Sequence, residues 1–113
     1  MVEITSNTEN NIMEIVIKGE VDASSSIHLD NALESAFKAS DKILVNLHKL
    51  DYISSAGLGV FIAHLQEMKE KGVKMALFGM TEKVRQVFAI LGLEELLTIT
   101  STKEESLALI NEA

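Results

Sequence analysis

The chain has 113 residues, 47% hydrophobic and 24% charged, with no cysteine, proline or tryptophan, which suits one packed core and excludes a disordered or collagen-like chain. Seventeen acidic against ten basic side chains give a formal charge of −7, which repels nucleic-acid phosphates and anionic lipid surfaces. The lack of cysteine removes disulfides, thiolate metal sites and a thiol nucleophile.

No apolar run approaches the ~20 residues that cross a bilayer, and residues 1–11 are polar and acidic rather than basic and then greasy, so a cytoplasmic protein without membrane insertion is expected. Nothing resembles a linker, a repeat or a low-complexity run, and one domain over residues 1–113 is expected.

Glu3 to Ser6 reads as an edge strand, followed by a turn over Asn7-Thr8-Glu9-Asn10-Asn11. Ile12 to Lys18 alternates Met13, Ile15 and Ile17 against Glu14 and Lys18, the period of a strand with one wetter face, and Gly19 is expected to end it. Ser24, Ser25 and Ser26 offer caps to a helix whose apolar residues are Leu29, Leu33, Ala36 and Phe37, with Asp30 and Glu34 facing its positive end. Ile43 to Leu47 is a nearly unbroken apolar run, as in a strand covered on both faces.

After a loop, Leu58, Phe61, Ile62, Leu65 and Met68 mark a second helix, which Gly72 stops. Val73 to Phe78 is the next strand, and Val84, Val87, Phe88 and Leu91 mark a third helix before Gly92. Leu97 and Ile99 suggest a short final strand, and Thr102 with Glu105 forms a capping box for a last helix that buries Leu107 and Ile110. The sum is an α/β fold: a mixed sheet of four to five strands flanked by four helices, with right-handed crossovers.

The segment Asp51-Tyr52-Ile53-Ser54-Ser55-Ala56-Gly57-Leu58-Gly59 is the unusual one, a turn rich in hydroxyls and glycine that leads into the second helix. At a helix start the first N–H groups lack internal partners and the peptide dipoles add, so a phosphate is stabilised there. A serine in that place also serves simply as an N-cap. Nucleotide loops do not fit, because Gly57-Leu58-Gly59 continues as Val60-Phe61-Ile62 without a lysine or a third glycine. The G-x-S-x-G elbow of serine hydrolases is missing too, and nothing pairs Ser54 or Ser55 with a base. His28, His48 and His64 are scattered without ligand spacing and read as surface or packing residues, so neither a metal nor another cofactor is expected.

Ser54-Ser55-Ala56-Gly57-Leu58-Gly59, taken with Gly19-Glu20-Val21-Asp22, resembles the signature of the anti-sigma factor antagonist family, the STAS domains. The element order and the stretch from Val84 to Leu93 resemble that family as well. The resemblance implies a serine at the start of the second helix that a partner kinase, itself the anti-sigma factor, phosphorylates. The family motif Asp-Ser-Ser/Thr-Gly falls on Ser54, Ser55, Ala56 and Gly57, so Ser55 is the expected acceptor, with Ser54 second to it. Ser54 stands where many members carry aspartate, and Ala56 replaces the second hydroxyl residue.

The resemblance also implies a partner-binding face that includes Asp22, Ser24, Ser54, Ser55, Ala56, Gly57 and Leu58. The expected function is a non-enzymatic switch. Its unmodified form binds an anti-sigma factor, which frees a sigma factor for transcription, and its phosphorylated form lets go. A serine phosphatase resets it. The alternative is an adaptor of the same fold that is never phosphorylated, such as the small domain attached to a transporter.

Overall fold

The computed structural model describes residues 2–111. Strand β1 (Val2–Glu9) and strand β2 (Ile12–Val21) form an antiparallel hairpin. Its turn is only Asn10 and Asn11, both at positive φ (53° and 66°), where asparagine is among the best-tolerated residues other than glycine. The expected five-residue turn from Asn7 to Asn11 is therefore corrected: Asn7, Thr8 and Glu9 pair with Glu14, Met13 and Ile12.

Helix α1 (Ser26–Ala39) is followed by strand β3 (Lys42–Asn46), strand β4 (Leu50–Ile53) and helix α2 (Ser55–Lys71). Strand β5 (Lys74–Phe78), helix α3 (Glu82–Ile90), strand β6 (Thr98–Thr100) and helix α4 (Lys103–Ile110) complete the order. Among the described residues the sheet has six strands rather than four or five, in the order β1-β2-β3-β5-β6, with β4 paired to β2 alone. All pairings after the hairpin are parallel.

Three helices lie on one face and one on the other. The larger core joins Leu29, Leu33, Ala36 and Phe37 of α1, Leu58 and Phe61 of α2, and Val84 and Phe88 of α3 to Ile15, Ile17, Ile43, Val45, Met75 and Leu77 of the strands. The alternate strand residues Leu44, Ala76 and Phe78 pack with Ile110 of α4. Strands β3 and β5 are thus covered on both sides, which is why Ile43 to Val45 and Met75 to Phe78 are apolar without alternation.

Several sequence expectations shift by a residue or more. Leu91 is 49% exposed, and Leu93 takes the buried place beyond the α3 end. Ile62 of α2 is 45% exposed. Gly19 does not end β2. It sits at φ 96°, and the pairing register with β4 shifts there, so the strand continues through Glu20 and Val21.

That bulge is what places the loop of interest. The first half of β2 pairs with β3 through Met13 to Val16, and its second half pairs with β4 through Gly19 to Val21. Between β3 and β4 the chain makes a short excursion over Leu47, His48 and Lys49, in which Leu50 N–H donates to Leu47 O (3.1 Å) and Gly19 N–H donates to Lys49 O (2.9 Å). It then re-enters the sheet beside the end of β2.

Candidate functional site

Two loops leave the same edge of the sheet. Val21 and Ile53 are register partners on adjacent parallel strands, and Ser54 N–H donates to Val21 O at 2.8 Å. The residues that follow, Asp22 after β2 and Ser54-Ser55 after β4, therefore emerge side by side at the carboxyl ends of the strands, where ligand sites of α/β sheets gather.

Each loop opens a helix. Ser54 is the N-cap of α2: its backbone is extended (φ −86°, ψ 171°), its Oγ accepts from Gly57 N–H (3.3 Å) and its carbonyl accepts from Leu58 N–H (3.0 Å). Ser54 is half-buried, whereas Ser55, the first helical residue, is exposed, and among the described residues its hydroxyl has no hydrogen-bond partner. The amides of Ser55 and Ala56 precede the first intrahelical bond and face outward as donors. Ser54 thus holds the helix start, while the Ser55 side chain lies exposed beside it.

Glycine at 57 is required by packing. A Cβ there would lie 2.7 Å from Cγ1 of Ile53 and 2.8 Å from Cγ1 of Val21, so only glycine lets the first turn of α2 rest on the two strand ends. Leu58, next to it, is fully buried and anchors that turn in the core. Of the residues expected on a partner-binding face, Asp22, Ser24, Ser55 and Ala56 are exposed and Ser54 is half-buried. Gly57 and Leu58 are buried, and so act on any partner only through the residues they position.

Asp22 organises the start of α1. Its Oδ1 accepts from Ser25 N–H (2.9 Å), Ser24 Oγ–H (2.8 Å) and Ser25 Oγ–H (2.9 Å), while its own N–H donates to Ser25 Oγ (2.9 Å). The hydroxyls of Ser24 and Ser25, then the Ser25 amide, hold its carboxyl down to about 2. Ser25 is the N-cap residue, yet its side chain makes no cap bond because it is turned back to Asp22.

Asp30 and Glu34 are not at the positive end of α1 as expected. The helix begins at Ser26, and no acidic residue lies in its first turn. Asp30 instead faces α2, where its Oδ1 lies 2.7 Å from Nε2 of His64, while Nδ1 of the same ring lies 3.1 Å from Glu67 Oε1. His64 is therefore more than the packing residue the sequence suggested. The His64-to-Glu67 spacing of three was a visible signal for the second contact, whereas nothing in the sequence announced Asp30.

Asp30, Glu34 and His64 are also the one group among the described residues whose donor atoms lie close enough, within 4.8 Å, to share a cation. Two ligands of one tetrahedral ion with ~2.0 Å bonds stand about 3.3 Å apart. The 2.7 Å between Asp30 and His64 is hydrogen-bond distance instead, so the group fits a proton better than a metal. Elsewhere, a groove of about 630 Å³ between α1 and the hairpin includes His28 and Asn31 but none of the residues of the two loops.

No cation stands near the α2 start in sequence: between Lys49 and Lys69 there is no lysine or arginine, while Glu20, Asp22 and Asp51 are acidic. What the α2 start itself offers to an anion at Ser55 is backbone amide.

Residues 3–106 match the STAS domain family. The chain belongs to the STAS domain family. An anti-sigma-B factor antagonist of Listeria monocytogenes is 27% identical over 95 residues, covering 82% of each chain. An anti-sigma factor antagonist structure from Mycobacterium paratuberculosis superposes with a TM-score of 0.90 at 13% identity, covering 99% of this chain and 96% of that one. The anti-sigma factor antagonist SpoIIAA in its unphosphorylated form gives a TM-score of 0.78 at 21% identity over 96% of each chain. At such identities the structures establish the shared STAS fold. Among the described residues, no helix is long and apolar enough to cross a membrane.

Proposed function

We propose that this STAS chain is an anti-sigma factor antagonist: a protein-binding switch that engages an anti-sigma factor with serine kinase activity when unmodified and releases it once Ser55 is phosphorylated. The observation that carries the reading is the division of labour at the α2 start, with Ser54 occupied as the cap and Ser55 exposed and unpaired on the first turn. The Listeria relative named as an anti-sigma-B factor antagonist supports the same reading. Residues 1–113 then act as one cytoplasmic STAS unit, without catalysis of their own, and a serine phosphatase resets the switch.

The physics of release follows from charge. Phosphorylation adds about 1.5–2 negative charges and three acceptor oxygens. The helix start accommodates them within the chain, but a partner that buried Ser55 would have to desolvate a dianion that Asp22 and Asp51 do nothing to neutralise. A loss of about 3 kcal/mol lowers affinity roughly a hundredfold, enough for a switch.

The test combines a pull-down with phosphosite mapping. The wild-type chain should co-purify with a histidine-kinase-like ATPase, accept phosphate on Ser55 from it with Mg-ATP, and lose it on modification. Ser55→Ala should hold the partner under the same conditions, and Ser55→Asp should bind it poorly. Phosphate on Ser54 alone, no phosphate, or co-purification of transporter subunits would overturn the reading, the last in favour of an adaptor.

A further inference from the structure

His64 is the most deeply buried ionisable side chain among the described residues, 6% exposed, and it lies where α1 crosses α2. Both ring nitrogens meet carboxylates, Nε2 that of Asp30 on α1 at 2.7 Å and Nδ1 that of Glu67 on its own helix at 3.1 Å. A carboxylate only accepts, and a neutral imidazole has one N–H, so whichever way the ring is turned one contact would set lone pair against lone pair. Only the imidazolium donates to both. The ring meets that of Phe37 of α1 in a T-shaped contact, with centroids 5.3 Å apart and planes at 81°.

We propose that His64 is a proton-dependent latch between α1 and α2: the imidazolium ties the two helices together, and its deprotonation frees α1 to open locally. The charged groups that face it are Asp30 and Glu34 from α1 and Glu67 from α2, the last held in turn by Lys71 at 2.8 Å. The sheet contributes no buried charge among the described residues. Burial opposes the charged ring, and the bonds from Asp30 and then Glu67 outweigh it, so the ring protonates more readily than a free histidine. A group whose folded value is raised stabilises fully below its unfolded value and loses that contribution as pH rises through the folded one. The latch is therefore fully closed below the ordinary histidine value and opens as pH rises through the raised, folded one. It needs neither phosphate nor a partner.

The full chain tests this without any binding assay. The imidazole resonances of His64 should titrate with a midpoint above the ordinary ~6.5. Amide hydrogen exchange, corrected for its intrinsic base catalysis, should show opening constants for residues 26–39 that rise across that midpoint, while those of β3 and β5 stay level. Each pH unit of midpoint above the ordinary value corresponds to a tenfold change in the opening constant. Asp30→Asn keeps the ring in place and should move the midpoint down and flatten the profile of α1. His64→Phe should abolish the pH dependence if it folds. A wild-type midpoint at or below the ordinary value, or equal pH profiles for α1 and the central strands, would overturn the proposal.

Discussion

Val21 and Gly57 approach so closely that a methyl group on Gly57 would stand 2.8 Å from Cγ1 of Val21. This contact seats the start of α2 on the end of β2, and both displaced neighbours, Val21 and Ile53, are themselves fully buried. Gly57→Ala should therefore cost about 1–3 kcal/mol, as overpacking does, and tilt the Ser54-Ser55 turn away from Asp22. Gly59 is the internal control. A Cβ there meets nothing within 4 Å, so Gly59→Ala should stabilise the helix by about 0.5–1 kcal/mol. Urea midpoints of the two variants should move in opposite directions, and a shared direction would refute the packing argument.

Ser54 and Ser55 should separate under alanine substitution. Ser54→Ala leaves the Gly57 amide without its acceptor and should cost about 1 kcal/mol, the usual worth of an N-cap. Ser55 is exposed and its hydroxyl has no partner among the described residues, so Ser55→Ala should leave stability within ~0.5 kcal/mol. If Ser55 is the acceptor, the pair gives a double dissociation: one variant is destabilised but still phosphorylated, and the other is stable and unmodifiable. Thermal unfolding and mass spectrometry on the same samples read both.

The Asp22 turn predicts a pH signature at the acid end. With its carboxyl held at about 2 against an ordinary 3.8, the ties to Ser24 and Ser25 are complete above the ordinary value and disappear as pH falls toward 2. The carboxyl carbon of Asp22 should titrate near 2 by NMR, and the Ser25 amide should report the same midpoint. Asp22→Asn keeps an oxygen acceptor but removes the charge, so the Ser25 amide should lose that transition. A midpoint near 3.8 in the wild-type chain would show that the hydroxyl ties do not persist in solution.

Much of this arrangement was legible beforehand, and the parts that were not have physical causes. The helices over Leu29 to Phe37 and Leu58 to Met68 follow from side-chain period, which burial on one face enforces. Strand β4 was hidden because Leu50-Asp51-Tyr52-Ile53 is too short to show a period. Gly19 suggested a stop because glycine with positive φ ends strands as readily as it bends them, and only the pairing partner distinguishes the two. The place of Asp22 beside Ser54 depends on that bulge and on β4 together, so no local pattern could reveal it. The roles of Ser54 and Ser55 rest on a single residue of offset in where α2 begins, which is finer than sequence patterns define a helix end.

Phosphate at Ser55 should leave the fold intact. The first turn of α2 contains no acidic residue, so the new charge meets unpaired amides and the positive end of a seventeen-residue helix, an environment worth ~0.3–1 kcal/mol or more to an anion. Against this stands Asp22, whose carboxylate emerges from the neighbouring strand but is already turned inward onto three donors of its own loop, which draws its charge toward α1. Attraction and repulsion are then of similar size, and the phosphorylated chain should melt within a few degrees of the unmodified one. The attraction is screened less than the longer-range repulsion, so added salt should shift the balance toward the phosphorylated form. Differential scanning calorimetry of both forms at low and high salt checks this. A phosphorylated chain that melts far below the unmodified one would mean that release works by unfolding α2 rather than by charge presented at an intact surface.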